Sequence, residues 1–296
     1  MSFRSRTAIL LAAATTALTI LLGPMVAVPA NAATNTPFDP GLIISDDSFF
    51  NYQSMTAADI QRFLEARSCH PKDDSLCPSE YRTDSRSIAA QGAGHCSAFA
   101  GRRDERASSI IERVSVACGI NPRVMLVLLQ KEQSLLTVPS ASGYAKATGY
   151  ACPDTAQCDA KYLGFFNQVY RAAWQFREYT LHPLEWRYRI GDVAIQYHPN
   201  VACGASGVHI RNQATANLYN YTPYQPNAET VAHPTGPAGA CSTFGNLNFS
   251  RIFDHWFGSP LAVRFPDWLP PCLNFVGGND CPSHQPFDLL SGSSGH

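Results

Sequence analysis

One stretch of the chain, from Asn121 to Thr137, carries apolar residues nearly all the way round a helical turn, which predicts a buried helix. Asn121 can cap its first turn, and Pro122 suits the first helical position because its missing N–H would have no partner there. Glu132 shares a face of this helix with core residues four and seven positions earlier. Because burial disfavours a charged carboxylate, Glu132 is a candidate catalytic acid. Alternatively, Glu132 lies past the buried part and points to water beside Lys131.

The same periodicity predicts further helices on both sides. A capping-box-like start at Thr56 begins a helix that ends near Ala66. The other helical patterns cover about 104–117, 161–180, 210–220 and 248–256. Short strands fit near 188–190 and 193–197, and the Gly- and Pro-containing stretch 138–159 is predicted to be a loop or short hairpin. We therefore expect a mainly α fold with a short β hairpin and long disulfide-tied loops.

The first 32 residues have the pattern of a secretory signal peptide. Arg4 and Arg6 precede an apolar run that ends near Leu22, and Ala30-Asn31-Ala32 is an A-x-A cleavage site. The run is short for a membrane span, so we expect no stable membrane insertion after cleavage, with an uncleaved anchor as the alternative. We expect a protein that is secreted, either extracellular or associated with the cell wall. The predicted divisions are a signal peptide at 1–32, a main domain with an N-terminal extension at 33–260, and a Pro/Gly/Ser-rich appendage with one disulfide at 261–296.

The chain has ten cysteines, all beyond the signal peptide, and an even number in an exported protein predicts disulfides. Sequence leaves their connectivity open. We favour pairing of neighbours, because each pair then closes a loop inside one local unit. The pairs would be Cys69–Cys77, Cys96–Cys118, Cys152–Cys158, Cys203–Cys241 and Cys272–Cys281. No C-x-x-C or His-paired spacing indicates a metal site, so we predict neither a metal nor a cofactor.

Charge and composition narrow the choice of partner. Removal of the two leader arginines changes the formal charge from −1 to −3, which gives no electrostatic case for nucleic acid or an anionic membrane. Charged residues make up only 15% of the chain, while Tyr, Phe, Trp, Asn and Gln are frequent. This composition fits a protein that holds a neutral polymer by stacking and hydrogen bonds.

The order of these features resembles the lysozyme-like superfamily, in its goose-type lysozyme and soluble lytic transglycosylase branch. In that branch an apolar helix ends in a catalytic glutamate, and a Gly-containing turn then walls the cleft. The matching stretches are LVLLQKEQS, ATGY, YLGFFNQVYRAAWQF and LYNYTPYQP, within about 104–225. The chain also resembles secreted actinobacterial proteins with KEQ-type helices. It departs from the branch in two places. This chain has Glu132-Gln133-Ser134 where the branch usually has Glu-Ser, and its Thr148-Gly149-Tyr150 only loosely matches the Gly-Leu-Met-Gln turn of the branch.

The resemblance implies that Glu132 protonates the glycosidic oxygen of a β-1,4 linkage in peptidoglycan, as a lysozyme or a lytic transglycosylase does. The residues that would bind the glycan are Gln133, Ser134, Gly149, Tyr150, Tyr219 and Asn220. Gln133 and Ser134 equally fit a plain helix end, and the two tyrosines equally fit the core. Asp154 and Asp159 are candidates for a second carboxylate, although both fit ordinary turn and N-cap positions better.

Two other classes of function remain open at this stage. The first is a non-catalytic cell-wall or glycan-binding protein, such as an adhesin, on a lysozyme-like fold. The second is a structural envelope protein whose aromatic surface binds a protein partner. The weak match to the Gly-Leu-Met-Gln turn favours a binding protein, and a glutamate on an apolar helix favours an enzyme.

Overall fold

The structure, a computed structural model, describes residues 37–153 and 157–263. They form a mainly helical architecture with two small antiparallel sheets. The helices are α1 (Asp46–Phe49), α2 (Ala57–Glu65), α3 (Ala107–Cys118), α4 (Pro122–Gln133), α5 (Ala141–Ala145), α6 (Phe165–Leu181), α7 (Gln213–Tyr221), α8 (Ala228–Ala232) and α9 (Gly245–Phe257). The strands are β1 (Arg82–Thr83), β2 (Glu105–Arg106), β3 (Gly191–Gln196) and β4 (Ala205–Ile210). Short 3₁₀ turns occur at Ala160–Tyr162, Pro183–Glu185 and Val201–Cys203.

Local capping signals fix several helix ends as the sequence predicts. At the start of α2 the Thr56 hydroxyl accepts a bond from the Asp59 N–H (3.2 Å), and the Asp59 carboxylate accepts one from the Thr56 N–H (2.9 Å). α3 ends at Gly119, whose φ of 67° is the left-handed conformation that glycine tolerates. Asn121 then caps α4 by accepting from the Arg123 N–H at 2.8 Å. These bonds confirm the predicted helix starts and the break between α3 and α4.

The central helix, α4, is buried as predicted but shorter than predicted. Every residue from Val124 to Leu129 is at most 1% exposed. The helix ends at Gln133 because Ser134 takes a left-handed conformation (φ 50°) while its N–H bonds back to the Gln130 carbonyl at 2.8 Å. Glu132 therefore lies in the last turn of the helix.

A fully buried arginine ties α6 to the turn between α3 and α4. The Arg177 guanidinium donates to the carbonyls of Cys118 and Gly119, both at 2.9 Å, at the C-terminal end of α3. A cation there satisfies carbonyls that have no helical partner and opposes the negative end of the helix dipole. Burial lowers the pKa of Arg177 to about 9. α6 also packs against α3 and α7.

The β hairpin lies later in the chain than one of the predicted positions. β3 and β4 pair antiparallel from Gly191↔Ile210 to Gln196↔Ala205, so residues 191–196 form one strand and 188–190 none. The stretch 138–159 is a loop that contains α5 and no hairpin in its described part. Ser140 starts α5 by accepting from the Gly143 N–H (3.1 Å), and Gly149 and Ala151 take left-handed conformations that break any strand.

The four cysteine pairs within the described residues confirm the predicted connectivity. They are Cys69–Cys77, Cys96–Cys118, Cys152–Cys158 and Cys203–Cys241. The fifth predicted pair, Cys272–Cys281, lies outside the described residues, as do the predicted signal peptide and nearly all of the appendage. No described helix is long and apolar enough to cross a bilayer.

Candidate functional site

Glu132 is partly buried and paired with the lysine that precedes it. Its side chain is 24% exposed, and its Oε1 accepts from Lys131 Nζ at 2.5 Å. The Lys131 side chain is only 9% exposed, and its ammonium also donates to the Thr222 hydroxyl at 3.0 Å. Thr222 follows directly after α7, so the ion pair bridges the end of α4 and the end of α7. Lys131 is the more buried partner, and Glu132 does not simply point to water beside it, as the alternative interpretation had it.

The second oxygen of Glu132 faces a glycine. A Cβ placed on Gly149 would lie 3.4 Å from Glu132 Oε2, and Gly149 has a φ of 73°. A side chain at position 149 would therefore fill the space in front of Oε2, besides straining the backbone. The two oxygens of the carboxylate thus have different surroundings: Oε1 contacts an ammonium, and Oε2 lies against backbone that has no side chain.

One glutamine of α6 holds the loop that carries Gly149. Gln168 is fully buried; its Oε1 accepts from the N–H groups of Thr148 (3.3 Å) and Tyr150 (3.1 Å). Its Nε2 donates to the carbonyls of Tyr150 (3.0 Å) and Tyr162 (2.9 Å). A buried amide whose donors and acceptors are all used fixes the backbone around it. The sequence analysis missed this residue, although a polar side chain between Phe166 and Val169 on an apolar face was a signal for it.

Beside Glu132 lies a small aromatic cleft of about 270 Å³. Its lining residues are Gly149, Tyr150, Ala151, Gln175, Tyr179 and Tyr221. Tyr221 donates its hydroxyl to the Thr148 carbonyl at 2.8 Å, and Tyr179 donates to the Asn220 carbonyl at 3.0 Å. Burial, followed by the nearby charge of Glu132, raises the pKa of Tyr221 well above its usual range, so this hydroxyl stays protonated. The oxygens of both hydroxyls can still accept bonds from a ligand.

Gln175, which lines the cleft, has a hydrogen-bond donor without a partner. Its Nε2 atom is buried and has no hydrogen-bond partner within the described part of the chain. Buried donors are usually paired, because leaving one unpaired costs roughly 1–3 kcal/mol. The arrangement therefore combines tyrosine faces and hydroxyl acceptors with one free amide donor.

A larger groove of about 570 Å³ lies elsewhere, between residues 37–43 and the helices α8 and α9. Its charged residues include Asp39, which bonds to Arg211 and to the Gly41 N–H, and Arg251, which donates to the Pro234 carbonyl. These groups already have partners inside the protein. We therefore place the candidate site at the smaller cleft, where a carboxylate oxygen lies beside the lining.

The structure distributes the predicted binding residues over several environments. Gly149 and Tyr150 line the cleft. Gln133 is half-buried in the last position of α4, and Ser134 is exposed as its C-cap. Neither residue lines the described cleft, and both occupy a helix end, which was the alternative interpretation of them.

Tyr219 and Asn220 have structural contacts instead of a place in the cleft. Tyr219 is fully buried and donates to the Pro40 carbonyl at 3.0 Å. The Asn220 side chain accepts from the Tyr188 N–H (3.0 Å) and donates to the Tyr188 carbonyl (2.7 Å). Because residues two apart on a helix point to nearly opposite sides, Tyr221 reaches the cleft and Tyr219 cannot. Of the two tyrosines in the Leu-Tyr-Asn-Tyr stretch, Tyr221 lines the described cleft, and a binding role for Tyr219 stays a prediction.

Asp159, one candidate for a second carboxylate, is not part of the lining of the described cleft. Asp159 is exposed, accepts from the Lys161 N–H at 3.1 Å as the cap of a 3₁₀ turn, and pairs with the Lys161 ammonium at 3.4 Å. It is thus the N-cap that the alternative interpretation expected. Asp154 lies outside the described residues. Over residues 37–153 and 157–263, no group of three or more His, Cys, Asp or Glu residues is arranged to hold a metal ion.

Together these features define a mainly helical, disulfide-linked domain with a lysine-paired carboxylate beside an aromatic cleft. The chain belongs to the family described as "LasA, N-terminal domain", whose model matches residues 42–266 and therefore includes the whole cleft. No curated protein and no solved structure is significantly similar to it. The matched family is not named as lysozyme-like, so a relation to lysozymes rests on the order of motifs alone.

Proposed function

We propose that this protein is a secreted, cell-wall-active enzyme that cleaves peptidoglycan glycan strands, with Glu132 as its general acid. The observation that carries the proposal is the position of Glu132 Oε2, against side-chain-free Gly149 at the edge of a tyrosine-lined cleft. The predicted export signal, the disulfides and the family all agree with an extracellular function.

The cleft is suited to a neutral sugar. Aromatic rings stack on the apolar faces of sugar rings, and Tyr150, Tyr179 and Tyr221 belong to the lining of the cleft. The hydroxyl oxygens of Tyr179 and Tyr221 accept bonds from sugar hydroxyls. The free amide of Gln175 suits a carbonyl oxygen, such as that of an N-acetyl group.

A single carboxylate suffices for the chemistry. Glu132 gives its proton to the glycosidic oxygen, the bond between that oxygen and the anomeric carbon breaks, and the leaving sugar departs as an alcohol. A hydroxyl of the same sugar, or water, then adds to the anomeric carbon and returns a proton to Glu132. Since the described lining of the cleft contains no second carboxylate, attack by the substrate's own hydroxyl is the favoured route.

A second candidate function is glycan binding without cleavage. The Lys131 ammonium contacts Glu132 Oε1 at 2.5 Å, and an ion pair of this kind also suits a purely structural end of α4. A binding protein would use the same tyrosine faces and would need no acid.

The deciding experiment compares wild type with Glu132→Gln on purified peptidoglycan, with soluble fragments identified by mass. We expect the variant to fold and to release fragments at least about a hundredfold more slowly, because general acid catalysis contributes roughly 10²–10⁴-fold. Glu80→Gln is the matched control, since it makes the same change at an exposed position and should release fragments at the wild-type rate. Anhydro ends would show a transglycosylase and reducing ends a hydrolase. Sedimentation of both proteins with the wall, without any release, would establish the binding protein instead.

A further inference from the structure

The two oxygens of Glu132 are held differently, and we infer that Lys131 is a positioning residue that makes Oε2 the proton-transferring atom. This inference rests on the proposed function. It assigns a role to a side chain that neither the motif order nor the family match identifies.

Lys131 is built into the fold. Its side chain is 9% exposed, and Nζ contacts both Glu132 Oε1 (2.5 Å) and the Thr222 hydroxyl (3.0 Å). Thr222 is itself fixed, because its N–H bonds to the Leu218 carbonyl (2.8 Å) and its carbonyl accepts from Asn246 Nδ2 (3.2 Å). Such a lysine differs from a surface lysine, whose flexible chain and hydration leave an ion pair weak.

Binding at Oε1 orients the carboxyl group. With Oε1 held by the ammonium, a carboxyl group keeps one rotational setting, in which Oε2 faces Gly149 and the cleft. A reacting oxygen held in one position gains from orientation, which is among the larger contributions to catalysis. Without Lys131 the carboxyl group can rotate, and Oε2 loses its fixed place.

The ammonium also matches the charge change in the reaction. When Glu132 gives its proton to the glycosidic oxygen, the side chain becomes a carboxylate, and Lys131 is already placed to stabilise that charge. The proton leaves from Oε2, Oε1 stays bound to Nζ, and the attacking hydroxyl later returns a proton to Oε2. Lys131 keeps its own protons throughout and needs no co-reactant.

The kinetic test uses Lys131→Met, Lys131→Arg and Thr222→Val on soluble, peptide-free glycan strands. We expect Lys131→Met to lower kcat roughly 10–100-fold with KM within about twofold, because orientation is lost while the tyrosine faces are intact. Lys131→Arg should restore most of the rate, since a guanidinium can still contact Oε1. Thr222→Val removes one of the two contacts that hold Nζ and should give a smaller fall in kcat. Lys72→Met, at an exposed lysine, is the matched control and should leave kcat unchanged.

A spectroscopic test does not depend on turnover. In protein labelled with ¹³C at the glutamate carboxyl, the Glu132 signal is identified by its loss in Glu132→Gln. We expect Lys131→Met to move this signal and Lys72→Met to leave it in place. An unmoved signal in Lys131→Met that is folded, as circular dichroism would show, would overturn the pairing whatever the kinetic assay gives.

The two proposals fail in different ways. If wild type releases no fragments, the proposed function fails and the catalytic role of Lys131 fails with it, whatever the carboxyl signal does. If wild type is active and Lys131→Met keeps the full kcat, only the positioning role fails. A rise in KM with an unchanged kcat would also overturn it, because Lys131 would then act in binding.

Discussion

Two carboxylates, Asp46 and Glu132, approach opposite ends of α7 and meet very different surroundings. Asp46 is 7% exposed, and its Oδ1 accepts from the Ala214 N–H at 2.8 Å, at the N-terminal end of the helix. Glu132 is 24% exposed and reaches the other end through Lys131 and Thr222. The more desolvated carboxylate is therefore the one without a cleft, since Asp46 lines neither of the two described concave surfaces.

The difference shows that burial alone does not mark a catalytic carboxylate. Burial raises the pKa of Asp46 to about 6 in spite of its backbone bonds, and those bonds use the acceptors that a substrate would need. Asp46 works as a helix anchor. Glu132 is less buried, but its Oε2 lies against Gly149, which has no side chain. An accessible carboxylate oxygen is a better indicator of reactivity than burial is. The following variants test this contrast between Asp46, at the N-terminal end of α7, and Glu132, near its C-terminal end.

The largest effect is expected from Asp46→Asn on the pH dependence of stability. Because the pKa of Asp46 is higher in the folded chain than its usual 3.8, the folded state holds its proton more tightly, and this stabilisation is complete below about pH 3.8 and lost as pH rises through about 6. The rise to about 6 corresponds to about 3 kcal/mol. Relative to wild type, Asp46→Asn should therefore become more stable by about that amount between pH 4 and pH 7, as measured by urea unfolding. If the free energy of unfolding changes with pH in the same way in wild type and Asp46→Asn, then Asp46 ionises alike in the folded and unfolded states.

Gly149→Val should reduce glycan release roughly a hundredfold, because its side chain would occupy the space in front of Glu132 Oε2 and shift the loop. The change also forces valine into a left-handed conformation, so stability must be controlled for. Gly204→Val supplies the control: Gly204 has a φ of 80° and open space around it, and so carries the strain without blocking the cleft. Equal losses of activity in the two variants would remove the argument for Gly149.

Gln168→Ala should lower the free energy of unfolding by about 2 kcal/mol and slow glycan release as well. The substitution leaves the N–H groups of Thr148 and Tyr150 without their acceptor in a buried setting. Hydrogen exchange of these two amides should rise in the variant while that of α4 stays the same. Unchanged exchange at both amides would mean that the loop is held by something other than Gln168.

Much of this architecture was predictable because it depends on local chemistry. The helix starts at Thr56 and Asn121 follow from caps and periodicity, and the disulfides join neighbours in sequence. Glu132, Gly149 and Tyr150 were located by the order of motifs. Each of these signals lies within a short stretch of chain.

The remaining parts depend on which faces meet across the fold, and periodicity cannot supply that. Asp46 accepts from an N–H of α7, which is 168 residues away in sequence, and Gln168 holds a loop 18 residues away. Lys131 contacts Thr222, which is 91 residues away in sequence. The roles that the sequence did not predict therefore belong to polar residues whose partners are distant in sequence.

The smallest effects should come from a pair of hydroxyl deletions on α7, which compare the predicted Tyr219 with Tyr221, the tyrosine that lines the cleft. Tyr219→Phe removes a bond to the Pro40 carbonyl and Tyr221→Phe one to the Thr148 carbonyl, so each should lower the free energy of unfolding by about 1 kcal/mol. Only Tyr221→Phe should also slow glycan release, by a few-fold, because Thr148 precedes the glycine that faces Oε2. Thermal unfolding and fragment release measured on both variants separate the two roles. Slower release from Tyr219→Phe alone would restore the residue that the sequence suggested and move the site toward Pro40, away from Lys131.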